Sequence, residues 1–91
     1  MFEFSRHKKA SIRGPVVEGL GYFGTDEAMA RLEEVLTGDG NAEVRAAAAR
    51  GFGIAKRPES AALLPKTVEE DRSTTVRTAC LAALKAIERD E

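Results

Sequence analysis

A β-branched residue followed by arginine occurs three times at a spacing of 32 residues, as Ile12-Arg13, Val44-Arg45 and Val76-Arg77. Recurrence at a fixed period between about 20 and 50 residues marks stacked supersecondary units, each too small to bury its own apolar face and each covered by its neighbours. The 91-residue chain divides on this register into two full copies, Ile12 to Glu43 and Val44 to Thr75, and a half copy from Val76 to Glu91. The full copies agree at seven columns: Arg13/Arg45, Gly19/Gly51, Gly21/Gly53, Glu27/Glu59, Ala30/Ala62, Leu32/Leu64 and Asp39/Asp71. These are residue types that fix turns and close packing. Such a stack presents an extended surface to a partner and is not built around a catalytic pocket.

Inside each copy the apolar spacing is helical. Val44, Ala48, Gly51, Phe52 and Ala55 fall at i, i+4, i+7, i+8 and i+11, and Val76, Cys80, Ala83, Leu84 and Ile87 repeat those steps, which puts each set on one helix face. A second helix per copy is carried by Met29, Leu32, Val35 and Leu36, then by Ala61, Leu64 and Val68. Thr25-Asp26-Glu27 supplies a capping hydroxyl and first-turn acids, Pro58 opens the equivalent helix, Ser73 or Thr74 caps the last, and Gly38-Asp39-Gly40-Asn41 is a turn. The expectation is five helices at 12–23, 26–37, 42–56, 58–69 and 73–89, with short connections that make neighbours antiparallel. Gly14-Pro15 is expected to delay the first helix to about Pro15, and Pro65 to bend the fourth.

Composition narrows the chemistry. With 43% hydrophobic and 32% charged residues the chain suits a small globular domain, and no apolar run reaches membrane-span length or forms a signal peptide, which points to the cytoplasm. The net charge of −1 exerts no strong pull on nucleic acid or acidic lipid. Cys80 is the single cysteine and His7 the single histidine. One thiol forms no intrachain disulfide, and one imidazole followed by Lys8 is no basis for a metal centre, so neither metal nor cofactor is expected. Cys80 lies on the apolar stripe as a core residue without a base in its own repeat, and no catalytic residue is assigned. Gly19-x-Gly21-x2-Gly24 imitates a dinucleotide-binding fingerprint, but these glycines lie within and at the end of a helix and two recur as Gly51 and Gly53, so close helix approach accounts for them better.

Two stretches, Asp39-x4-Val44-Arg45-x2-Ala48-Ala49-x-Gly51-Phe52-Gly53-Ile54 and Asp71-x4-Val76-Arg77-x2-Cys80-Leu81-x-Ala83-Leu84-x2-Ile87, carry a family likeness. They resemble the HEAT-like repeat of the phycobilisome-lyase type, whose pattern runs Asp-x4-Val-Arg-x2-Ala-Ala-x-Ala-Leu-Gly-x-Ile-Gly, and the likeness covers residues 12 to 91. The resemblance implies an all-α, short right-handed superhelix of about five antiparallel helices, the second helix of each pair lining the concave surface. It also implies that loop aspartates pair with the arginine ladder. Asp39 with Arg45 and Asp71 with Arg77 share a separation of six residues, the expected pairing. Six residues before Arg13 stands His7, so Arg13 is expected to be unpaired and open to a partner.

The function expected is a non-catalytic protein-binding module or scaffold, with residues 1–11 as a basic N-terminal arm and 12–91 as the repeat domain. Candidate partner-binding residues are the inner-helix positions Glu18, Arg50, Arg57, Lys85 and Arg89, together with Arg13 and the arm residues Phe2 and Phe4. The unpaired first helix raises self-association through the N-terminal end. Two alternatives follow from the resemblance: an accessory subunit of a larger enzyme complex such as a chromophore lyase, and a nucleic-acid-binding domain. The second is disfavoured, since the chain has no Trp and only Tyr22 to stack on bases.

Overall fold

The computed structural model describes residues 6–89. Among them every regular element is helical: α1 (Ala10–Gly19) continued by a 3-10 turn (Leu20–Tyr22), α2 (Asp26–Gly38), α3 (Ala42–Ala55), a 3-10 segment (Pro58–Ala62) leading into α4 (Leu63–Glu70), and α5 (Thr74–Glu88). The caps are local in sequence. Thr25 Oγ1 accepts from the Ala28 N–H, Asn41 Oδ1 from Glu43 and Val44, and Ser73 Oγ from Val76, satisfying N–H groups that the first turn leaves without partners.

Helices α1, α3 and α5 stack side by side as an inner layer, while α2 packs on α3 and the 3-10 turn after α1, and α4 packs on α5. The result is a slab of 35 × 28 × 15 Å, a short helical solenoid. Its core holds Val17, Leu20, Leu32, Val35, Leu36, Val44, Phe52, Leu64, Val76 and Cys80, including most of the expected stripe; the Ala61 side chain lies outside the described set. As the middle inner helix, α3 is enclosed on several sides, and Ala46, Ala47, Ala48 and Ala49 have no exposed surface. Small side chains there let the flanking helices approach closely.

Glycine carries the closest approach. A Cβ on Gly21 would fall on the Gly51 carbonyl oxygen and lie 2.9 Å from the Gly51 Cα, and one on Gly53 would meet the Ala83 Cα at 3.2 Å. The Gly21/Gly53 column is thus where each inner helix presses on the next. Gly19 meets nothing within 4 Å, so its repetition with Gly51 has no packing cause on its own side. The Gly21/Gly53 column continues in α5 as Lys85.

Two expectations about proline change. The first helix starts at Ala10, five residues ahead of Pro15; the proline stays inside the helix and only forgoes a backbone bond to the Ser11 carbonyl. The fourth segment does not bend at Pro65. It breaks earlier, running as 3-10 helix to Ala62 and restarting at Leu63, so Pro65 falls in a first turn where its missing N–H has no helical partner to lose.

Candidate protein-binding face

The arginine ladder pairs within each repeat, from the inner helix to the loop after the outer helix, and not across the repeat boundary. Arg13 Nε and Nη2 donate to Asp39 Oδ2 and Oδ1, each at 2.9 Å, and Arg45 Nε and Nη2 donate to Asp71 Oδ2 and Oδ1 at 2.8 and 3.2 Å. Both pairs span 26 residues. The separation of six is also present, but it reaches a backbone carbonyl: Arg45 Nη1 donates to Asp39 O and Arg13 Nη1 to His7 O, both at 2.8 Å. Arg13 is therefore paired and largely buried, its side chain 17% exposed, and it leaves the set of partner-binding candidates. Arg77 donates to Thr74 Oγ1; the expected Asp71–Arg77 ion pair does not form among the described residues.

The carboxylates respond to this geometry. Burial alone would raise Asp39, but the Arg13 guanidinium, the Asn41 N–H and the charge of Arg31 outweigh it and hold the carboxyl below its usual range. At Asp71 the Arg45 hydrogen bonds come first, work against burial, and with the Ser73 N–H lower it too. Cys80 moves the other way: burial, with Asp71 nearby, pushes its thiol up to about 11, so at neutral pH it is a protonated core residue. Among the described residues no three His, Cys, Asp or Glu side chains come together to hold a metal ion.

The remaining candidates divide by location. Glu18 and Arg50 occupy the same column of successive repeats, and Arg50 Nε donates to Glu18 Oε1 at 2.9 Å with both side chains well exposed. Arg57 is engaged by its own fold: it donates to the Gly24 carbonyl and pairs with Asp26 and Glu59. It ties the turn between the first two helices to the end of α3 and is not a free cation. Lys85 and Arg89 are exposed and make no ion pair among the described residues, but Lys85 sits in the stacking column and does not line the groove described next. Phe2 and Phe4 lie outside the described residues. What is described of the N-terminal arm is held in place, by Arg6 to Glu34 at 3.4 Å and by the Arg13 bonds to the His7 and Lys8 carbonyls.

A shallow groove runs along the α3–α5 junction. One part, about 420 Å³, is lined by Glu18, Arg50, Gly53, Ile54, Lys56, Ala79, Ala82, Ala83 and Ala86; the adjoining part, about 470 Å³, by Arg50, Thr74, Thr75, Thr78, Ala79 and Ala82. No residue of α2 or α4 lines it, so it opens on the inner layer's other face. Arg50 stands where the two parts meet. Lys56 holds φ 54°, the left-handed region, in the column where the first repeat has Gly24 at φ 63°. Sequence reasoning picked out Glu18 and Arg50 of this lining but missed Lys56, although its alignment with Gly24 was the available signal.

The family model for HEAT repeats matches residues 3–85. The chain belongs to the HEAT repeat family. The match, the 32-residue register and the two-layer stack of helices agree with one another. No individual curated protein matches the chain. Of this HEAT repeat protein's helices, none among the described residues is long and apolar enough to cross a membrane.

Proposed function

We propose that this HEAT repeat protein is a non-catalytic protein-binding module that engages its partner through the inner-layer face, at the α3–α5 groove. The observation that carries the reading is the groove itself: an open, alanine-floored surface with one exposed guanidinium at its centre. HEAT repeats generally serve protein–protein interaction, and the groove is formed by residues of two repeats, which is how a solenoid builds a contact surface. Cationic Arg50 with an apolar floor suits a protein surface better than a nucleic-acid backbone, since no aromatic lines it.

Two narrower parts of the reading rest on less. Assignment to the phycobilisome-lyase type stands on the Asp39-x4-Val44-Arg45 pattern alone, and no residue of the groove adds to it, so the accessory-lyase role ranks behind the binding module. Self-association through the N-terminal end rests on the unpaired first helix, and the exposure of Ile12 and Tyr22 supports it. The separate arm over residues 1–11 and the cytoplasmic setting stay part of this proposal.

The test is affinity capture from the source cell with mass-spectrometric readout, comparing the native protein with Ala82→Trp, which fills the groove from an exposed position. Loss of the captured proteins from a variant that still unfolds cooperatively is the expected result. Unchanged capture would remove the groove from the function.

A further inference from the structure

The inner layer has two steps built from the same columns, and they are filled differently. Between α1 and α3 the column is bridged by Glu18 and Arg50. Between α3 and α5 it reads Arg50 and Ala82; the Tyr22 and Ile54 column shrinks with it to Ala86, and the Pro15 and Ala47 column stays alanine at Ala79. The first step carries an ion pair, whereas the second is open beside the same arginine. The third copy's share of the first part of the groove is small side chains, Ala79, Ala82, Ala83 and Ala86.

Cations outnumber acids around that opening, two to one. Its ionisable lining consists of Arg50, Lys56 and Glu18, and Glu18 is the residue already on Arg50. The N-terminal turn of α5, with Thr74 and Thr75 at the groove, adds the positive end of a helix dipole. From Thr74 to Ala86 the groove follows α5 for about 18 Å, the span of five or six extended residues. Arg50 and Lys56 stand about 9 Å apart along α3, within reach of acids at alternate positions of an extended strand, about 7 Å apart.

We infer that the groove takes an extended acidic segment of a partner protein, and that Glu18 is a built-in competitor which that segment displaces from Arg50. The inference rests on the protein-binding reading above and adds the chemistry of the occupant. The Glu18–Arg50 pair shows the guanidinium donating to a carboxylate at the groove's edge, in an exposed setting where one carboxylate exchanges for another at small cost. Removing Glu18 therefore strengthens binding, the opposite of what a residue contributing to the contact would do.

The experiment titrates isotope-labelled full-length protein with a capped Ala-Glu-Ala-Glu-Ala-Glu peptide, following amide resonances and measuring affinity by fluorescence polarisation. Expected are shifts centred on Arg50, Ala79 and Ala82, weakening with added salt, tighter binding by about two- to five-fold in Glu18→Gln, and weaker binding in both Arg50→Gln and the charge-keeping Arg50→Lys. Thermal unfolding of each variant confirms that it folds. The inference is overturned if Glu18→Gln leaves affinity unchanged or lowers it, if no groove resonance moves, or if the lysine counterpart of the peptide or an oligothymidylate binds the groove as well. Should the acidic peptide fail while Ala82→Trp still abolishes protein capture, the occupant is wrong and the binding-module reading stands. Should Ala82→Trp lose nothing, that reading falls by itself.

Discussion

Asp39 fixes two arginines with different atoms: its carboxylate holds Arg13, and its carbonyl oxygen holds Arg45. Asp71 repeats the carboxylate half with Arg45. Both acids are about nine-tenths buried as side chains, and a two-pronged guanidinium bond in such a place is stronger than an exposed pair. Asp71→Asn should cost about 1–3 kcal/mol at pH 7, measured by urea unfolding. The pH dependence has a definite sign. A carboxyl held below its unfolded value contributes stability that is complete above about pH 4 and is lost as pH falls through the folded value. The gap between native protein and Asp71→Asn should therefore close in acid and stay constant from pH 6 to 8. The aspartate and arginine columns were readable in the sequence, but their partners were not, for a physical reason. Pairing six residues back and pairing 26 forward differ by one 32-residue period, so a periodic chain presents the same columns for both, and only the stacking of the layers decides. Lys56 is the other residue with a consequence of its own. A side chain in the left-handed region costs about 1–2 kcal/mol relative to right-handed backbone. Glycine removes that cost but adds unfolded-state entropy, so Lys56→Gly should stabilise by about 0.5 kcal/mol in a thermal melt.

At the level of the helices, five were visible from periodicity and capping residues because both signals are local. The break at Leu63 was not, since it depends on how the 3-10 segment from Pro58 seats against α5. Asn41 was read as turn only, yet its side chain caps α3; a residue type that serves turns and caps alike does not declare which. The glycines separate two kinds of repetition. Gly21→Ala drives a methyl into the Gly51 backbone, which cannot yield as a flexible side chain would, and should cost about 1–3 kcal/mol. Gly19→Ala meets open space in helical backbone and should be neutral or stabilising by up to about 1 kcal/mol. Chemical denaturation of the pair side by side checks the assignment of the inner-layer contact, and equal losses would refute it.

For the molecule as a whole, the slab separates two tasks. The outer helices bury Leu32, Leu36 and Leu64 and leave the inner-layer face free of their side chains. That division was legible as a repeat fold, while the groove was only partly so: Arg50 was named, but its dependence on Ala79, Ala82 and Ala86 shows once copies are superposed in space. Arg57 and Arg13, equally basic in sequence, turned out to be structural because folding brings acids to them, Asp39 to Arg13 and Asp26 with Glu59 to Arg57. The stacking column carries a last consequence. Gly21 and Gly53 admit a following helix at backbone distance, whereas α5 presents Lys85 there and Leu81 where the middle copy has Ala49. The middle copy is thus the one that can be its own neighbour. A tandem duplication of residues 44–75 would set Gly53 against a second Gly51 and offer Asp71 to Arg45 in unchanged register. An added copy is therefore accommodated most readily between the middle copy and its neighbours, where the glycine contact and the aspartate–arginine bonds repeat.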